Sequence, residues 1–110
     1  MTSLLVAEKM QPYAIENIVS GLPRWQASFY RTANGAEIDL IVEKGIKKIA
    51  IEIKASTTPK VSRRFWHCIQ TISPDRTVVI APVATEYPIA DKVMVMPIDV
   101  FLNQWDPLDR

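Results

Sequence analysis

The sequence predicts an α/β domain in which a mixed central sheet is flanked by helices. Three observations carry that expectation. Two neighbouring segments, Ile38 to Val42 and Lys48 to Lys54, alternate apolar and polar residues with period two. Two others, near residues 12–20 and 61–72, repeat apolar residues at spacings of three and four, as one face of a helix does. The run Thr77-Val78-Val79-Ile80-Ala81 reads as a strand covered on both sides.

Taken in order, Val6, Met10, Tyr13, Ala14 and Ile18 give the first helical face. Pro12 inside this window predicts a helix that begins there and runs to Ser20, since proline is tolerated in a first turn. Gly21 and Pro23 end it. The stretch from Gln26 to Arg31 is a strand rich in β-forming aromatics, and Asn34-Gly35 is a turn signal. The two alternating strands follow, separated at Gly45. After Ser56-Thr57-Thr58-Pro59-Lys60 a second helix is expected over Val61 to Ile72. Its buried stripe is Val61, Phe65, Cys68 (or Ile69) and Ile72, and Ser73-Pro74-Asp75 stops it. Strands over Thr77–Ala81 and Lys92–Met96 and a short helix over Val100–Gln104 complete the order.

Size and composition narrow the function. A chain of 110 residues accommodates one domain, and 48% hydrophobic residues supply it with a core. The net charge of +1 sets up no global field toward membranes or nucleic acid. The lone cysteine, Cys68, rules out an internal disulfide framework or a cysteine-based zinc site and points to a cytoplasmic setting. The longest apolar runs fall far short of the roughly 20 residues that span a bilayer, and the first ten residues lack the basic leader of a secretory signal. No GxxxxGK[ST] phosphate-binding loop is present.

Chemistry concentrates in the hairpin. With Gly45-Ile46 as a two-residue turn, Lys44 faces Lys47, and the same register sets Asp39 opposite Glu52 and Glu37 opposite Lys54. These four share one face, with Ile38, Leu40, Ile51 and Ile53 on the other. Directly opposed side chains have Cβ atoms only ~5 Å apart, where two carboxylates repel. They require a cation, a shared proton or a neighbouring ammonium such as Lys54. Mg²⁺, which takes one or two carboxylates and completes its shell with water and phosphate oxygens, suits such a pair. The plainer alternative is a solvated hairpin face decorated with Glu–Lys pairs. Against it, Ile41 and Ala50 lie on the same face, so that face is partly covered, and covered charges need a reason.

Asp39, then Glu52-Ile53-Lys54 on the next strand, after a helix carrying Glu16, resembles the D…ExK pattern of the PD-(D/E)XK nuclease superfamily. That superfamily's restriction-endonuclease-like core has the order helix-strand-strand-strand-helix-strand. More narrowly, AIENIVSGL, FYRTANGAEIDLIVEKG and KIAIEIKAS resemble the C-terminal domain of a family of prokaryotic AAA-type ATPases, over about Tyr13 to Leu102. The resemblance implies that Asp39 and Glu52 hold Mg²⁺ or Mn²⁺ and that Glu16 completes the metal site. It implies a catalytic set of Asp39, Glu52 and Lys54, with Lys54 positioning the attacking water. The partners it implies are nucleic acid or an ATPase domain, with residues 1–110 either standing alone or forming the C-terminal part of a longer ATPase. A non-catalytic accessory domain for docking or oligomerisation is the competing expectation.

Charge placement agrees with a polyanion near this site. From Arg24 to Arg64 there are nine basic residues against four acids, whereas from Phe65 onward three basic residues meet six acids. His67 and Cys68 are adjacent, so on a helix they point ~100° apart and form no nucleophile–base pair. Trp25, Trp66, Trp105, Met94 and Met96 are expected to be packing residues.

Overall fold

A computed structural model describes residues 18–21, 24–31 and 37–103. Within them, residues 18–20 are helical, followed by β1 (Gln26–Arg31), β2 (Glu37–Lys44), β3 (Lys47–Ile53), α1 (Arg63–Ile72), β4 (Arg76–Ile80), β5 (Tyr87–Ala90), β6 (Val93–Met96) and α2 (Ile98–Asn103). The expected helix start at Pro12, the Asn34-Gly35 turn, Gln104 and Trp105 lie outside the described residues.

The strands form one six-stranded mixed sheet in the order β1-β2-β3-β4-β6-β5. β1, β2 and β3 are an antiparallel meander, while β3, β4 and β6 run parallel and β5 returns antiparallel at the far edge. The architecture is the expected α/β one, a mixed sheet flanked by helices. No helix of the described residues is long and apolar enough to cross a membrane.

The hairpin register follows from its turn. Gly45 has φ +61° at the first central position, which a two-residue turn of the II′ kind requires and glycine adopts without a side-chain penalty. Lys44 therefore pairs with Lys47, and the ladder continues to Leu40 opposite Ile51.

Each face of the sheet buries its own cluster. On one side Leu40, Val42, Ile49, Ile51, Val78 and Ile80 pack with Ile18, Trp25 and Phe101. On the other, Ile41, Ala50, Val79, Val93 and Val95 lie beneath Phe65 and Cys68 of α1. β4 thus contributes alternate residues to both, as its uninterrupted apolar run predicted.

The helix α1 is closed at both ends. Ser62 caps it by accepting the Phe65 N–H at 3.1 Å, and Ser73, in the left-handed region at φ 51°, donates its N–H to the Ile69 carbonyl at 2.8 Å. Beyond it, Asp75 clasps the start of β3. Its main-chain N–H donates to the Lys48 carbonyl, and its carboxylate accepts the Lys48 N–H, each at 2.8 Å.

Three expectations are corrected. The sequence reading omitted β5, whose four residues Tyr87-Pro88-Ile89-Ala90 are all exposed and therefore show no alternation. The helix α1 begins at Arg63, two residues later than the expected Val61, whereas the final helix begins at Ile98, inside the Pro97-Ile98-Asp99 start and ahead of Val100. Ile38 does not share a face with Leu40; it is buried in the cluster under α1. The cause is a β-bulge. Ser28 pairs with Ile41 and Tyr30 with Ile38, so Asp39 and Leu40 of β2 together stand opposite residue 29 of β1. One extra residue reverses the facing of everything beyond it.

Candidate functional site

The bulge sits at the end of the hairpin remote from its turn, and it places Asp39. Past the Leu40–Ile51 pair, a side chain supplies the next acceptor in the ladder: the Ile53 N–H donates to Asp39 Oδ2 at 2.8 Å. The Asp39 carboxylate is thereby fixed between β2 and β3 by a main-chain group of the strand that carries Glu52.

Glu52 comes from the last turn of the pleat in β3, beside Val79 of β4 and on the α1 side of the sheet. Its side chain is only 13% exposed. Burial, first, and then the hydrogen bond and negative charge shared with the Asp39 carboxyl raise the Glu52 pKa to about 9. The Lys54 ammonium and the Asp39 main-chain N–H act in the opposite direction, but do not outweigh burial. At neutral pH Glu52 therefore carries a proton, hydrogen-bonded within the carboxyl pair.

Lys54 follows β3 directly. Its main-chain N–H extends the parallel pairing by donating to the Ile80 carbonyl at 2.8 Å, which holds the residue at the end of the sheet. From there Nζ stands 4.0 Å from Glu52 Oε2, and the side chain is 35% exposed. Asp39, Glu52 and Lys54 are thus brought together, but not by the expected direct pairing of Asp39 with Glu52 and Glu37 with Lys54: the ladder ends at Leu40 opposite Ile51, and the Asp39 side chain takes over as acceptor. The cation is more exposed than Glu52.

Glu16 lies outside the described residues, and nothing is described of the Glu37 side chain. Among the described residues no group of three or more His, Cys, Asp or Glu side chains is assembled to hold a metal ion. The donor set there is the two carboxyl groups of Asp39 and Glu52. It fits a hard divalent cation in kind, because such ions take oxygen ligands and Mg²⁺ is satisfied by one or two carboxylates plus water. A buried carboxyl pair that retains a proton is also a pair from which a cation displaces that proton.

The sequence reading missed two contributors to this geometry. One is the Ile53 main-chain N–H, the anchor of Asp39. The other is the bulge at Asp39–Leu40, which breaks the strand pairing where the carboxylate turns in. Neither carries a sequence signal, since every residue other than proline has a main-chain N–H and the bulge contains no glycine. The packing residues fall as expected: Cys68 is buried, His67 is exposed, and Trp66 meets Phe65 edge-to-face at 5.2 Å.

Known proteins resemble this chain. The chain is 28% identical over 91 residues to uncharacterised proteins of Mycobacterium bovis and Mycobacterium tuberculosis, a match covering 83% of the chain and 21% of each relative. It thus spans about a fifth of the length of the curated relatives it matches. A family model matches residues 8–101, a span that contains the whole hairpin and all three clustered side chains. The chain belongs to the family described as domain of unknown function DUF4143.

Proposed function

We propose that this domain is a magnesium-dependent phosphodiesterase of the PD-(D/E)XK nuclease kind, acting on or holding nucleic acid. The observation that carries the reading is the buried carboxyl pair of Asp39 and Glu52, with the Lys54 amine 4.0 Å from Glu52. Isolated structural ion pairs give no reason to bury two acids against each other, and perturbed carboxyl groups of this sort concentrate at functional sites.

Asp39 and Glu52 are the residues that hold Mg²⁺ or Mn²⁺ in this reading, with Glu16 as the further ligand that the resemblance implies. The bound cation supplies Lewis acidity toward a phosphoryl oxygen and makes a water molecule a better nucleophile. Asp39 keeps its orientation through the Ile53 N–H, which donates to its Oδ2. Glu52 would hold the cation as a carboxylate, so binding would require its proton to leave. Lys54, more exposed than Glu52, orients a water or steadies the charge that builds on the phosphate.

Calorimetry with Mn²⁺ and Mg²⁺ on the chain and on Asp39→Ala tests the site. Binding by the chain and its loss in the variant is the expected result. A cleavage assay on single- and double-stranded DNA then compares the chain with Lys54→Ala, and cleavage that persists in Lys54→Ala assigns the activity to a contaminant.

A second reading has its own support. The chain matches only about a fifth of each relative, as an accessory domain attached to a larger ATPase does. Absence of metal binding in both proteins favours that docking or oligomerisation role.

A further inference from the structure

The end of the sheet opposite the carboxyl pair carries a second group of features. β3, β4 and β6 all begin there, β2 ends there and β1 begins there. Lys44 and Lys47 are direct cross-strand partners on β2 and β3, a like-charge pairing that works against the hairpin. Arg76 opens β4 and is exposed. Lys92 occupies the two-residue turn between β5 and β6 at φ 62°, a conformation that glycine or asparagine adopts more readily than lysine. Ile46, at the apex of the hairpin, is 99% exposed.

Three positions at one end therefore hold residues that local preference disfavours: the half-buried Lys44–Lys47 pair, the exposed Lys92 and the exposed Ile46. Features that oppose local preference yet cluster in space mark function more often than packing. Glu43, Asp75 and Asp91 lie at the same end, so three acids stand among these cations; Asp75 also accepts the Lys48 main-chain N–H. Exposed Arg24, just before β1, extends the basic row across the sheet.

We infer that this edge is a second nucleic-acid contact, in which the basic row follows a duplex backbone and Ile46 enters the adjoining groove. The inference rests on the nucleic-acid part of the function proposed above and concerns a separate surface. Along β2, Lys44 at the foot of the turn stands roughly 17 Å from Asp39 at about 3.4 Å per residue. From β1 to β6 the row spans roughly 19 Å at about 4.8 Å per strand, the rise of some five nucleotides of a duplex strand. A line of charge suits a linear polyanion. A bilayer requires a broader apolar surface or a second anchor than one isoleucine supplies, whereas a lone apolar wedge flanked by cations is a recurrent way to enter a minor groove.

The test is fluorescence anisotropy of a labelled short DNA duplex with the 110-residue chain, in EDTA and over a salt series. Lys47→Gln combined with Lys92→Gly is expected to weaken binding and to lower the log–log salt slope by about two, or roughly 0.9 per phosphate contact. The same double variant is expected to melt no lower than the unsubstituted chain, because it relieves both the paired lysines and the left-handed lysine. Ile46→Ser is expected to weaken binding without changing the slope. An unchanged slope in the double variant overturns the inference, as does binding to phosphatidylserine vesicles in place of the duplex. Because EDTA removes any metal, failure here with intact Mn²⁺ binding at Asp39 and Glu52 refutes this surface alone. Loss of metal binding with a normal salt response refutes only the catalytic site.

Discussion

Asp39 and Ile53, fourteen positions apart, are joined by a 2.8 Å hydrogen bond from main-chain nitrogen to carboxylate oxygen. This contact makes the acidic residue part of the strand pairing as well as of the site. Asp39→Ala leaves a part-buried N–H without its acceptor and is expected to cost about 1–3 kcal/mol in urea denaturation. Asp39→Asn retains an oxygen for Ile53 and is expected to cost less than Asp39→Ala. Equal losses in the two variants refute a structural share for this bond.

Stability is expected to depend on pH through Glu52. Its folded pKa of about 9 lies above the value near 4.3 of a free glutamate. Between those limits the unfolded chain has released the proton that the folded chain keeps, so stability falls as pH rises from about 4.3 toward about 9. Glu52→Gln removes this dependence. At pH 8 it is expected to stabilise by at least about 1 kcal/mol, or roughly 4–8 °C in Tm. Melting curves at pH 5 and pH 8 for both proteins check the sign.

Lys54 holds the Glu52 pKa down, against burial. Lys54→Met is therefore expected to move the Glu52 titration to higher pH, as followed by the side-chain carbonyl carbon in NMR. A downward shift contradicts the 4.0 Å pairing.

Metal affinity is expected to fall as the solution is acidified below about 9, approaching tenfold per unit, because the entering cation competes with the Glu52 proton. Calorimetry in buffers of different ionisation enthalpy is expected to register proton release on Mn²⁺ binding at pH 7. Binding without proton release places the cation elsewhere.

Two left-handed residues are expected to respond oppositely to substitution. Ser73→Gly relieves the strained end of α1 and is expected to stabilise by up to about 1 kcal/mol. Gly45→Ala is expected to cost about 1 kcal/mol or more, although an added Cβ meets nothing within 4 Å, so the loss is purely one of backbone conformation. Thermal denaturation reads both.

How much of this was legible beforehand depends on which force set each feature. The hairpin register was, because a glycine turn two residues long admits one pairing, and that pairing runs as far as Leu40 opposite Ile51, one step short of Asp39 and Glu52. The double-sided burial of β4 was legible from its unbroken apolar run. Ile38 was not, because alternation assumes one residue per step and the pairing with β1 contains an extra one. β5 was missed since an exposed edge strand makes no demand on its own pattern. The proton on Glu52 arises from burial under a helix distant in sequence, a tertiary effect that spacing does not encode.

The exposed strand β5 also bears on how these molecules behave at high concentration. A sheet whose margin is open recruits further chains through its unmet amide groups, and that is the first step toward fibrils. Pro88 has no amide hydrogen, and the register slips between Pro88 and Ala90, so this margin is short, uneven and poorly matched to a newcomer. The molecule is thereby protected from self-templated stacking along that side.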